Sequence, residues 1–315
     1  MPPFFLRYFK LIYGMMKADR FVLILTQGEM EMNLYQYKKL NNWIFNNNEY
    51  TTSQFVFQGA DKTVLMDTGM DFFNLKKQIA KKTGREDVMV VNSHFHPDHS
   101  NGNHHFDAVF IGEKDLPTFT DEDCYFKLVN DISTAVLGKL EGKKHLQRLL
   151  GKVVDKALMT KPGATQYYPL HDGDVLDLGN HKLIVKDFPG HTPGSITLLD
   201  PDDKLIFAGD ACNMGFWAFT NPELNLHDYA AQERAYYKEV KAAGYKKMYG
   251  SHVPFPNKIS FIKDNAKFMD HLTPKKALLK IKVPGGPSRL CIAMRPSRHL
   301  MYACLFWEHQ CQKKD

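Results

Sequence analysis

The chain has 315 residues, 43% hydrophobic and 24% charged, the balance of a soluble globular protein long enough for one large domain or two small ones. That balance excludes a disordered tail, a collagen-like fibre and a disulfide miniprotein, and no apolar run approaches the ~18 residues of a membrane span. The net charge of +6 is local: residues 275–315 hold nine Lys/Arg against two Asp/Glu, which leaves the first 274 residues at −1. Such a distribution argues against nucleic acid as the partner; a small-molecule substrate is expected.

The first 31 residues read as an extension. Their apolar stretch is broken by Arg7, Lys10, Lys17, Asp19 and Arg20, and Phe21–Leu25 is too short for the core of a secretory signal. The five cysteines include no CxxC pair, so free thiols in a reducing, cytoplasmic setting are expected. Strand-like runs at Gln54–Gln58 and Thr63–Met66 flank a Gly59–Lys62 turn, and Phe72, Leu75 and Ile79 then mark a helix ending at Gly84. Val88–Val91 reads as a buried strand. Two amphipathic helices are predicted within 121–161, separated near Gly142. Strands follow at Asp174–Leu178, Lys182–Asp187, Ser195–Leu199 and Lys204–Ala208, then helices over Asp228–Ala243 and Ile259–Leu272. Beyond residue 283 no hydrophobic period is visible, so 284–315 is read as a basic tail. Cys304, His309 and Cys311 lie close in sequence there, at a spacing that fits no common zinc module.

The chemistry concentrates in Ser93-His94-Phe95-His96-Pro97-Asp98-His99, directly after a predicted buried strand. Alternate residues of an extended segment point the same way, so His94 and His96 can grip one ion. Asp98 and His99 follow the turn and can face a second. Imidazole with carboxylate suits a borderline cation such as Zn²⁺. Three further ligand-type residues stand where a predicted strand meets a loop: His191 in Gly190–Ser195, Asp210 after Gly209, and His252 in Gly250-Ser251-His252.

From about residue 36 to 272, with Asp67 in Leu65–Gly69 as a further motif, the chain resembles the metallo-β-lactamase superfamily of hydrolases. The resemblance implies an α/β fold, a four-layer αββα sandwich with its metals along one edge, carrying the 121–161 helices as an insertion over the cleft. The hydrolase domain is then expected over 32–283. The resemblance also implies a ligand set: His94, His96 and His191 for one metal, Asp98, His99 and His252 for a second, Asp210 between them, and Asp67 behind the loop. Two divalent ions are expected, zinc first, with iron or manganese as alternatives. Their positive charge would favour a bridging hydroxide as nucleophile, oriented by Asp98 as the catalytic residue.

The implied reaction is hydrolysis of an ester, thioester, lactone or lactam. Asp210 looks more like the thioester and lactone hydrolases than the β-lactamases. A β-lactamase or phosphodiesterase variant, a mononuclear iron oxygenase of the persulfide-dioxygenase type, and a non-catalytic metal-binding protein are the alternatives. Tyr125, Phe126, Leu128 and Val129, with Phe216, Trp217 and Phe219, are candidates for an apolar pocket or for ordinary core.

Overall fold

The computed structural model describes residues 35–49, 52–69, 74–120, 165–252, 256–283, 286–296 and 301–312. The expected N-terminal extension and the 121–161 insertion lie outside the described residues. Seven strands come first: β1 (Tyr35–Lys39), β2 (Ile44–Glu49), β3 (Ser53–Gln58), β4 (Thr63–Met66), β5 (Met89–Asn92), β6 (Ala108–Gly112) and β7 (Gln166–Leu170). They form one sheet in sequence order, antiparallel from β1 to β4 and parallel from β4 to β7. Next come β8 (Val175–Asp177), β9 (Lys182–Asp187), β10 (Ile196–Asp200), β11 (Leu205–Phe207), β12 (Gly215–Trp217), β13 (Lys247–Tyr249) and β14 (Asn257–Lys258). Six of these build a second sheet in the order β14-β13-β11-β10-β9-β8. The helices are α1 (Leu75–Thr83), the single turn α2 (Pro97–Ser100), α3 (Leu226–Ala242) and α4 (Ser260–Asp270).

The two sheets bury their facing sides against each other. Phe55, Phe57, Val64 and Met66 of the first sheet share a core with Leu183, Val185, Leu198 and Phe207 of the second. The alternate residues Val56, Leu65 and Val90 point the other way, onto Leu75 and Ile79 of α1. Both faces of β3 and β4 are therefore covered, which is why their sequences read as unbroken apolar runs. The outer face of the second sheet, with Ile206 and Met248, packs on α3 and α4 through Leu226, Tyr236, Ile262 and Met269. These layers are the expected αββα sandwich. Local signals set the helix ends: the Asn74 side chain accepts from Lys77 N at the start of α1, and Gly84 closes it at φ 71°, in the left-handed region.

The chain beyond residue 283 departs from the expected tail. β15 (Leu279–Lys282), β16 (Arg289–Pro296) and β17 (Met301–Trp307) form a third sheet with β12, in the order β12-β17-β16-β15. One face carries Cys291, Ala293, Cys304 and Phe306 into the helical core, and the other buries Ile281, Leu290 and Trp307 around Phe219. Burial on both faces erases the alternation that marks a half-exposed strand, so the sequence shows no period there. His309 is committed elsewhere, its Nε2 donating to Pro222 O at 2.9 Å and its Nδ1 3.0 Å from Ser288 Oγ. The Cys304–His309–Cys311 grouping is thus not a metal site. Among the described residues, no helix is long and apolar enough to cross a membrane.

Candidate metal centre

Strand direction assembles the site. β4 and β5 run parallel, as do β11 and β13, and β9 shares the direction of β11 because β10 is antiparallel to both. The loops after these strands meet at one edge of the sandwich. Backbone bonds tie the two sheets there, from Ile196 N to Ser93 O at 2.9 Å and from Ser53 N to Ser251 O at 2.8 Å. β4 delivers Asp67, β5 delivers His94 to His99, β9 delivers His191, β11 delivers Asp210 and β13 delivers His252.

All seven ligand candidates converge. Donor atoms within 4.8 Å of one another define three overlapping groups: His94/His96/His191, His94/His99/Asp210 and Asp98/His99/His252. His191 Nε2 faces His96 Nδ1 at 2.8 Å, and Asp210 Oδ2 lies 2.8 Å from His252 Nε2 and 3.7 Å from His191 Nε2. Asp98 Oδ2 is 3.5 Å from His252 Nε2 and 3.6 Å from His99 Nε2. The imidazoles of residues 94, 96, 99 and 191 are buried, while the Asp98 side chain keeps 30% of its surface and opens the site to solvent.

Neighbouring acceptors decide which ring nitrogen carries the proton. Carboxylate and carbonyl oxygens only accept, so His99 Nδ1 donates to Asp67 Oδ2 at 2.8 Å and His191 Nδ1 donates to Trp217 O at 3.2 Å. Ser93 Oγ donates to Asp67 Oδ2 at 2.8 Å, which leaves it to accept from His94 Nδ1 at 3.0 Å. Each bond turns the ring's Nε2 into the site, where that of His191 accepts from His96 Nδ1 at 2.8 Å. Those of His94 and His99 are buried with no hydrogen-bond partner. Two buried lone pairs aimed into a ring of imidazoles and carboxylates match what a divalent cation needs, so the donor set fits the metal that the fold implies. Asp67 stands behind the loop as the resemblance implied, at φ 66° and also accepting from Ser93 N at 2.7 Å.

Charge divides the cluster. Burial, then the neighbouring imidazoles, holds His94 and His96 well below the usual histidine range. Burial also brings His191 down to about 4. For His252 burial acts in the same direction, but the Asp210 carboxylate overcomes it and raises the ring to about 9. His99 is likewise raised, by Asp98, Asp67 and Asp210 against burial. A cation competes with these protons for the same lone pairs, so binding releases them.

Of the aromatic pocket candidates, Phe216 and Phe219 are core. Phe216 stacks on Tyr229 at 4.5 Å, and Phe219 packs with Trp307. Trp217 is half-buried, and its carbonyl orients His191. Tyr125, Phe126, Leu128 and Val129 lie outside the described residues. Ser93 lies within the motif, but a serine beside two histidines carries no ligand signal of its own. Asp115, in Gly112-Glu113-Lys114-Asp115, looks in sequence like any polar turn residue.

A sequence profile of the metallo-beta-lactamase superfamily matches residues 48–123 and 127–276. The chain belongs to that superfamily. It is 27% identical over 184 residues to the human acyl-coenzyme A thioesterase MBLAC2, a match covering 55% of this chain and 62% of that protein. It is 23% identical over 150 residues to the bovine mitochondrial persulfide dioxygenase ETHE1, covering 48% of this chain and 43% of that one. The chain thus matches about three-fifths or less of these relatives' lengths. Among solved structures, a metallo-beta-lactamase from Pontibacter korlensis aligns with 76% of this chain and 100% of its own at a TM-score of 0.51 and 14% identity, a likeness of fold.

Proposed function

We propose that this protein is a metal-dependent hydrolase of acyl compounds, with thioesters as the first substrate class. The observation that carries the reading is the convergence of seven donor side chains, with the buried Nε2 atoms of His94 and His99 left without a hydrogen-bond partner. His94, His96 and His191 would hold one zinc ion, Asp98, His99 and His252 a second, with Asp210 between them. Bound there, the ions would supply Lewis acidity toward the acyl carbonyl and a more acidic water. Asp98, the most open of the carboxylates in the cluster, faces His99 and His252 with Oδ2, takes the proton of the attacking water on Oδ1 and returns it to the departing thiolate. The C–O bond forms as the C–S bond breaks. The named activity of the human relative favours a thioester over a lactone, an ester or a lactam. Cys212, Cys291, Cys304 and Cys311 are free thiols, which supports a reducing, cytoplasmic setting.

The test is a panel of an acyl-coenzyme A thioester, an aryl ester, a lactone, a chromogenic β-lactam and a phosphodiester, with metal content measured alongside. Turnover of the thioester, lost on chelation and restored by zinc, is the expected result. Protein that retains two zinc equivalents yet cleaves no acyl substrate overturns it. A second reading rests on the His94/His99/Asp210 group, two imidazoles and one carboxylate, the set that non-haem iron favours, and on the similarity to a persulfide dioxygenase. Oxygen consumption with a persulfide by iron-loaded protein separates the two.

A further inference from the structure

We propose that Asp115 is a positioning residue that locks the His94–His96 loop and the His191 loop against each other and so sets the geometry of the cation site these three imidazoles share. The inference rests on the metal-centre reading above.

Asp115 belongs to none of the ligand groups, yet its side chain is entirely buried beside them. It sits in the short helical turn Glu113–Thr120 that follows β6. Oδ1 accepts from Gly194 N at 2.6 Å, and Oδ2 accepts from Thr192 Oγ1 at 2.7 Å and from Phe95 N at 3.3 Å. Phe95 lies between His94 and His96, and Thr192 follows His191. One carboxylate therefore spans loops that come from different sheets. These three partners are neutral donors, and burial pushes the carboxyl up to about 6. Burying a carboxyl without such bonds carries a large desolvation cost, so the three bonds tie the group and its partners together.

The surroundings are built for this contact. A Cβ on Gly194 would collide with the Asp115 backbone and carboxyl, so the approach requires glycine. The far ends of both loops are secured independently. Ser100 Oγ donates to Phe95 O at 2.9 Å, and Thr192 N donates to Ser195 Oγ at 3.0 Å. With both loops internally stiff, the carboxylate sets where His191 Nε2 stands relative to His94 and His96. Small errors in such a ligand triangle weaken metal affinity, and partners behind the ligands typically account for ~10–100-fold.

The experiment titrates metal-free protein with Co²⁺ and follows the visible ligand-field spectrum, which reports geometry directly and needs no turnover. Asp115→Asn turns one acceptor into a donor facing N–H or O–H groups. It is expected to weaken the first Co²⁺ equivalent at least ~10-fold and to change its spectrum. Thr192→Val deletes one of the three bonds and should shift the same two readouts by less, while Thr192→Ser, which keeps the hydroxyl, restores them. If Asp115→Asn does not yield folded protein, the Thr192 pair decides alone. Wild-type affinity and spectrum in Asp115→Asn, or in Thr192→Val where that pair decides, overturn the clamp and leave the metal centre standing. A wild-type chain that binds no Co²⁺ overturns both.

Discussion

At the scale of the single residue, the proposed reaction gives Asp98 two burdens, holding one cation and moving a proton. Asp98→Ala removes both and leaves His94, His96, His191 and Asp210 in place. Metal content is expected to fall from near two per chain towards one, with kcat lower by ~10²–10³, or about 3–4 kcal/mol of transition-state stabilisation. Metal analysis beside steady-state kinetics checks this, and an unchanged rate in the variant favours the iron reading. A different pH dependence belongs to Glu233, buried on α3. Its Oε1 accepts from Asn265 Nδ2 at 2.7 Å and from Cys212 Sγ at 3.3 Å, while Oε2 is unpartnered. Burial raises its carboxyl from 4.5 to about 8. The folded state then holds a proton that the unfolded chain has already lost, so this contribution to stability is full below about 4.5 and gone above about 8. Melting curves at fixed metal content should show wild type losing stability across that window and Glu233→Gln losing less.

The C-terminal hairpin shows at the scale of elements why a segment read as a tail matters to the site. β17 pairs with β12, and Ala303 N donates to Met214 O at 2.7 Å. Trp307 Nε1 donates to Phe219 O at 3.0 Å, and Gln310 Nε2 donates to Ala218 O at 2.9 Å and Asn221 O at 2.8 Å. The turn so gripped is the one whose Trp217 carbonyl orients His191 and whose Thr220 Oγ1 donates to His191 O at 2.9 Å. A fragment covering 32–283 strips β12 of its partner and opens the core around Phe219. It is expected to be insoluble, and recovery of folded, metal-binding fragment would show the hairpin to be dispensable. Trp307→Ala in the full chain should cost ~3–5 kcal/mol, read from denaturant unfolding. Gln310→Ala leaves the apolar contacts intact but strands the Ala218 and Asn221 carbonyls and the Trp307 N–H, which donates to Gln310 Oε1 at 2.7 Å, and should cost ~1–3 kcal/mol for each group left buried.

For the whole molecule, the ligand candidates come from both sheets, so a bound cation cross-links the sandwich at its open edge. Metal that binds only the folded state stabilises it by about 2.7 kcal/mol at a free concentration a hundred times Kd. Zinc-loaded protein should therefore melt above the chelated form, with the gap growing as free zinc rises. Acid should narrow it, because His99 and His252 bind protons more tightly than ordinary histidines and protons displace the cation. Calorimetry at several zinc concentrations and pH values tests both statements. An identical melting temperature with and without zinc would show that the seven side chains hold no ion in the folded state.

Local chemistry by itself determined much of this protein. The β4 and β9 boundaries, the helix stop at Gly84 and the placing of ligand-type residues just after strands are all readable, because turn residues and apolar runs act over a few positions. The same is true of the His94–His99 motif, whose donors are neighbours in sequence. Only the tertiary structure decided what depends on distant parts meeting. The strand β2, with three consecutive asparagines, and the hairpin β16–β17 carry no alternating pattern, and β12 finds its partner some ninety residues later. Asp115 looks like a solvated turn residue until β6 carries it between two loops from different sheets. The physical reason is common to these cases: a residue's neighbours in sequence set its backbone preference, whereas its burial and its hydrogen-bond partners are set by which strands lie side by side.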